Sequence, residues 1–127
     1  MDGQKIIAGI QPMHGTILAV YGGNMKKNVI AEGFGQGHAL AINHVTDDPM
    51  TVQIVAGWRE PDTSGKVGIK LYVPENNTYQ TWTTHWIDDN GMACEDLQLA
   101  DLDGDGRLEI IASGRASHNL KVYWNKK

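Results

Sequence analysis

Apolar residues along the chain fall in short runs rich in Ile, Val, Leu and Tyr, bounded by Gly, Asn, Asp and Pro. They do not recur at the three-and-four spacing of an amphipathic helix. β-Branched and aromatic side chains suit a pleated surface, and Gly, Asn and Asp supply the tight turns between such segments. The pattern predicts ten strands, at residues 5–10, 16–21, 28–33, 38–43, 51–58, 67–73, 78–87, 96–101, 109–113 and 120–124.

The runs also repeat. Ile6-Ile7-Ala8-Gly9, Ile54-Val55-Ala56-Gly57 and Ile110-Ile111-Ala112-Ser113 read as copies of one strand. Each is followed by another, Leu18-Ala19-Val20-Tyr21, Ile69-Lys70-Leu71-Tyr72 and Lys121-Val122-Tyr123-Trp124. Upstream, His38-Ala39-Leu40-Ala41-Ile42 aligns with Glu95-Asp96-Leu97-Gln98-Leu99. Counted from Ile6 and Ile110, His14 and His118 fall in equivalent turns, eight residues on. Arg59 and Arg115 each stand five residues after the start of a motif.

A self-similar unit of about 40–55 residues with four strands is the size of a propeller blade. The expectation is therefore an all-β fold, a β-propeller segment of about three four-stranded antiparallel blades. One domain would span 1–127, with a partial blade at 1–36, a complete one at 37–90 and a partial one at 91–127. Segment 60–66 reads as a turn-rich insertion, and 78–87, polar on alternate positions, as an outer strand. Closed propellers use about four to eight blades. A homo-oligomer, or the other blades of a larger ring, is accordingly the expected partner.

Composition narrows the function classes. Hydrophobic residues are 41% of 127, enough for a packed core, and the net charge is −4. Eleven scattered Lys and Arg make no basic stripe, so no nucleic-acid partner is expected. No apolar run approaches the roughly 20 residues of a membrane helix. Met1-Asp2-Gly3-Gln4-Lys5 lacks the layout of a signal peptide. The single cysteine, Cys94, excludes an intrachain disulfide and reads as a small buried hydrophobe. Gly33-Phe34-Gly35-Gln36-Gly37 is rich in glycine, but no helix follows to bind a phosphate. The four tryptophans are expected to pack between blades rather than to stack on sugars.

The sharpest chemical signal is Asp101-Leu102-Asp103-Gly104-Asp105-Gly106-Arg107-Leu108-Glu109, with carboxylates at positions 1, 3, 5 and 9 and a glycine at 6. Hard cations take oxygen ligands, and alternate residues of a curled loop can point inward at one ion. Asp101, Asp103, Asp105 and Glu109, with the Arg107 carbonyl, are the expected calcium ligands. The alternative is an acidic turn without metal. An EF-hand would need Glu at position 12, where Ala112 stands, and flanking helices, where strands are predicted. Asn43-His44-Val45-Thr46-Asp47-Asp48 and Asp2-Gly3 are what the other two repeats keep, so one site is expected. Calcium modules of this class hold their ion weakly, which suits a secreted or periplasmic setting.

Strand, Asp-rich loop, strand and Gly turn together resemble the FG-GAP, or VCBS-type, repeat of β-propellers. Gly37-His38-Ala39-Leu40, Val55-Ala56-Gly57-Trp58-Arg59-Glu60, Met92-Ala93-Cys94-Glu95-Asp96-Leu97 and Gly114-Arg115-Ala116-Ser117-His118-Asn119-Leu120 are similar to propeller domains of the aldos-2-ulose dehydratase family. The resemblance implies a seven-bladed parent, a zinc site in the propeller, and a lyase that removes water from a keto-sugar or other carbohydrate.

In a propeller, residues entering each first strand meet the turns between second and third strands at one end of a channel. His38 and Glu95 enter first strands, and His14 and His118 lie in such turns. The four are candidate catalytic groups in a common funnel, with His14, His38 and His118 as a possible Zn²⁺ set and an open fourth position. Such an ion would polarise a ketone, and a nearby His or Glu would take the adjacent proton. Arg59 and Arg115 are candidate substrate-binding residues, or equally partners of carboxylates. The histidines are alternatively turn or capping residues. His44 and His85 are not expected in the site. The rival function is a non-catalytic scaffold stiffened by calcium, or a self-assembling binding fragment.

Overall fold

The computed structural model describes residues 5–126. Among them the chain is all-β: β1 (Ile7–Gln11), β2 (Ile17–Tyr21), β3 (Lys27–Glu32), β4 (Gly35–Asn43), β5 (Gln53–Glu60), β6 (Gly68–Pro74), β7 (Trp82–Asp89), β8 (Cys94–Ala100), β9 (Glu109–Gly114) and β10 (Asn119–Tyr123). They form three antiparallel sheets, β1-β2-β3, β4-β5-β6-β7 and β10-β9-β8, and no closed barrel. This is an incomplete, propeller-like all-β segment. No helix among the described residues is long and apolar enough to cross a membrane.

All ten expected strands form; the fourth begins three residues earlier than expected, at Gly35, and the largest shift of boundary is in the seventh. The seventh starts at Trp82 rather than residue 78 and runs on to Asp89. Residues 76–79 instead make a turn in which Tyr79 has φ 57° and its N–H donates to the Asn76 carbonyl. A left-handed residue cannot continue a strand. The Tyr79 ring is buried, and its hydroxyl accepts the Val52 N–H at 3.0 Å. β7 pairs with β6 alone, as an outer strand does.

The middle sheet is covered on both faces, which explains why residues 53–58 of β5 are buried without interruption. Alternation sorts them by neighbour. Ile54, Ala56 and Trp58 pack with Leu18, Val20 and Phe34 on the side of β1-β2-β3. Val55 and Ile69 pack with Met92, Cys94, Leu97 and Ile110 on the side of β10-β9-β8. The close approach of that second pair of sheets needs glycine at 57, where an added Cβ would lie 2.6 Å from the Cys94 sulfur. Burial pushes the Cys94 thiol up to about 12, so it acts as the small hydrophobe expected. The sheets meet along their leading strands, with β4 against β8 and β1 against β4.

Strand register corrects the repeat alignment. Ile7, Ile54 and Ile110 face Tyr21, Tyr72 and Tyr123 across their hairpins. The counterpart of Ile110 is therefore Ile7, not Ile6. Two adjacent isoleucines leave that choice open in sequence, but a one-residue slip exchanges the faces of the whole strand. Ile6 packs inward on the middle sheet, whereas Ile7 lies outward and is 57% exposed. The bulges agree. Register shifts after Leu18 and again after Ile69, and at 37/39 and again at 94/96, which are matching positions. β1–β3 thus correspond to β5–β7, and β8–β10 to β4–β6.

One buried carboxylate ties the second and third sheets together. Asp88 accepts hydrogen bonds from the Gly91 N–H at 2.7 Å, from Lys121 Nζ at 3.0 Å and from the Tyr123 hydroxyl. Burial works to raise its pKa, but the bonds from Tyr123, Lys121 and Gly91 outweigh it and hold the carboxyl below the ordinary value. A depressed carboxyl contributes stability above its unfolded pKa, and loses it as pH falls through the lower folded value. Thermal melts of wild type and Asp88→Asn should therefore differ at pH 7 and converge below about pH 4. A gap unchanged between pH 7 and pH 3 would show that Asp88 carries no such linkage.

Candidate functional site

The two bulges on β4 and β8 hold His38 and Glu95, each left out of its ladder. A bulge re-aims a side chain, and here the two residues meet. His38 Nδ1 lies 3.0 Å from Glu95 Oε2 and 2.6 Å from the Glu95 carbonyl oxygen. Both neighbours are acceptors, which assigns the proton to Nδ1 and leaves Nε2 free to accept one. Arg59, near the end of β5, donates from Nη1 to both Glu95 oxygens, at 3.2 and 2.9 Å, and from Nε to Gln36 Oε1 at 2.9 Å. Arg115 Nη1 stands 3.9 Å from Glu95 Oε1 with most of its side chain exposed. The His14 ring stacks on His38, with centroids 4.8 Å apart.

His118 lies beyond this cluster. With Arg59, Glu60, Arg115 and Ala116 it lines an open cleft of about 430 Å³. His14 and His118 both occupy left-handed turn positions, φ 55° and 53°. They are not equivalent, however: His14 precedes its hairpin tyrosine by seven residues and His118 by five. The structure does not gather His14, His38 and His118 with their ligand atoms within 4.8 Å of one another. Among the described residues, the one group of three or more His, Cys, Asp or Glu with ligand atoms within 4.8 Å of one another is in the 101–109 loop. Nδ1 of His38 is committed to Glu95, and Glu95 to Arg59. What the cluster can do is take a proton at His38 Nε2 and offer the Arg115 guanidinium to hydroxyl or carboxylate oxygens. Sequence reasoning missed Gln36, whose amide steers Arg59; its place just before Gly37-His38 was the available signal.

The acidic loop is built by its own backbone. Asp101 accepts the Gly104 N–H on Oδ1 and the Gly106 N–H on Oδ2, both at 2.8 Å. Asp103 accepts from Asp105 N at 3.3 Å, and Asp105 from Arg107 N at 2.9 Å. Gly104 and Gly106 have φ of 78° and 86°, a region that side chains disfavour. Glu109 is fully buried; it accepts Leu102 N–H at 2.9 Å and Asn125 N–H at 3.3 Å. One oxygen from each of Asp101, Asp103, Asp105 and Glu109 lies within 4.8 Å of the others. A carboxylate oxygen holding one N–H keeps lone-pair capacity, so an all-oxygen set of this kind fits a hard divalent ion. Lys126 pairs with Asp103 and, by that hydrogen bond first, holds its carboxyl below the ordinary value. The Arg107 guanidinium turns away, to Asp47 and to Asn125 Oδ1.

The middle sheet carries an amide at the place of the buried carboxylate. Gln53 occupies the place of Glu109, one residue before the isoleucine that faces tyrosine, and is equally buried. Its Oε1 accepts from Val45 N at 2.7 Å and Thr46 N at 2.9 Å. Its Nε2 donates to the Thr51 carbonyl and hydroxyl at 3.2 and 3.1 Å. An amide brings both acceptor and donor and satisfies the loop backbone on both sides. His44 stands where the other loop has Asp101 and bonds the Thr51 carbonyl at 2.9 Å. In the first sheet the place of Glu109 falls to Ile6, and Asp2-Gly3 lies outside the described residues. His85 is exposed on β7, with Nε2 3.1 Å from Thr83 Oγ1.

Comparison of the chain with protein-family models, with curated proteins and with solved structures finds no match.

Proposed function

We propose that this chain is a metal-binding module of an incomplete β-propeller, in which the 101–109 loop takes Ca²⁺ as a clasp between β8 and β9. The observation that carries the reading is the convergence of four carboxylates, one of them the buried Glu109, on a space the size of one ion. Four like charges so close repel one another, and a divalent cation turns that repulsion into attraction. The role is structural, because the loop joins two paired strands and its ligands come from the loop itself. Keto-sugar dehydration, which the resemblance implies, draws support from the His38–Glu95–Arg59 cluster and the cleft beside Arg115. The gathered side chains there do not fit a three-ligand zinc site. The calcium-stiffened scaffold is the function the geometry supports best.

The test is a thermal melt of the purified chain with chelator and after return of Ca²⁺, alongside elemental analysis. With the weak affinity of this module class, about 10⁻⁴–10⁻³ M, roughly 10 mM Ca²⁺ should add about 1.4–2.7 kcal/mol. For a domain of this size that is a rise in Tm of roughly 4–10 °C. A Tm indifferent to chelator and to Ca²⁺ would overturn the reading.

A further inference from the structure

Both end sheets carry an outward face equivalent to one that the middle sheet buries. On β10-β9-β8 that face holds Ile111, Leu120 and Val122, with Leu120 71% exposed. Register makes them the counterparts of Val55, Ile69 and Leu71, which pack the middle sheet onto Met92, Cys94 and Leu97. On β1-β2-β3 the outward face holds Ile7, Tyr21 and Val29. Ile7 and Tyr21 are the counterparts of Ile54 and Tyr72, which pack the middle sheet onto Leu18 and Val20. One face is thus the kind that receives a following sheet, and the other the kind that receives a preceding one. The two contacts already inside the chain are both of this complementary type.

We propose that two copies of the chain associate head to tail, the outward face of β10-β9-β8 in each covering the outward face of β1-β2-β3 in the other. For the 127-residue chain taken by itself, the three described sheets set the number of copies. One copy brings three sheets, two bring six and three bring nine, and closed propellers use about four to eight. Two copies alone fall in that range. Each contact joins unlike faces, and a two-fold axis relates the two contacts, so the pair closes with neither face left open. Contiguous exposed apolar side chains on a folded chain mark such surfaces. The paired faces belong to the sheets and their register, and the association does not depend on a cation in the 101–109 loop.

The test is native mass by light scattering or sedimentation across a dilution series, for wild type, Ile7→Asp and Leu120→Lys. Wild type should run at twice 13.9 kDa. Each substitution puts a charge into both contacts and should weaken dimerisation by at least about 100-fold, with the far-ultraviolet circular dichroism of a folded sheet protein retained. Mixing the two variants should restore a dimer, because one of its two contacts then has both faces native. A wild-type monomer, an open series of larger oligomers, or a dimer indifferent to both substitutions would overturn the proposal. So would failure of the mixture to dimerise, which is the behaviour of a face-to-same-face pair.

Discussion

Trp58→Ala is expected to destabilise the chain by about 3–5 kcal/mol, the range for emptying a large aromatic site in a core. The indole is fully buried between the first and second sheets. It stacks on Phe34, with centroids 5.2 Å apart, and meets Trp86 at 5.7 Å. Its N–H donates to the Lys66 carbonyl at 2.7 Å, which pins the 61–67 turn to the sheet. The Lys70 ammonium lies 4.4 Å from the Trp86 ring centroid and 5.7 Å from that of Trp58, closing the stack from the polar side. A domain holds only about 5–15 kcal/mol in all, so the variant should be partly unfolded at 37 °C. Trp58→Phe keeps most of the apolar area and loses the hydrogen bond, and should cost less than half as much. Urea unfolding followed by circular dichroism measures both. A cost below about 1 kcal/mol for the alanine variant would mean that the contact between the first two sheets does not hold the fold.

The second large effect is expected at Glu109, where two substitutions separate scaffold from ligand. Glu109→Ala strips the Leu102 N–H and the Asn125 N–H of their acceptor. A hydrogen bond to a charged group contributes about 1.5–3 kcal/mol, and the longer 3.3 Å bond from Asn125 adds less, so the loss should reach about 2–4 kcal/mol even in chelator. Glu109→Gln keeps an oxygen for Leu102, in the manner of Gln53 toward Val45, and should cost clearly less. It removes one of the four charges, however, so the rise in Tm with Ca²⁺ should largely vanish. The measurement is the difference in Tm between chelator and Ca²⁺ for the three proteins. A full calcium response in Glu109→Gln would remove Glu109 from the ligand set and leave it a purely structural carboxylate.

His38 and Glu95 illustrate how far the chain could be read before folding. Their alignment as matching positions was visible, because the flanking Ala39-Leu40 and Asp96-Leu97 sit in equal register. Their meeting was not, because it depends on two bulges that throw both residues out of their ladders toward each other. Arg59 and Arg115 were open between substrate and carboxylate, and the fold turns both toward Glu95. Gln53 was invisible as the partner of Glu109, since a lone glutamine before a strand carries no motif. His14 and His118 looked equivalent because the count ran from Ile6, whereas register pairs Ile7 with Ile110.

What the sequence alone determined is local: ten strands from β-branched and aromatic runs, tight turns from Gly, Asn and Asp, and an acidic loop whose spacing and glycines suffice to curl its carboxylates inward. These follow from interactions between residues a few positions apart, so the chain carries them whatever it packs against. Tertiary structure decided which face of each strand meets which neighbour, where the register slips by one, and which histidine meets a carboxylate. Those outcomes are set by side chains from different sheets competing for the same buried space, and a linear pattern with period two does not distinguish one face from the other until a second sheet covers it.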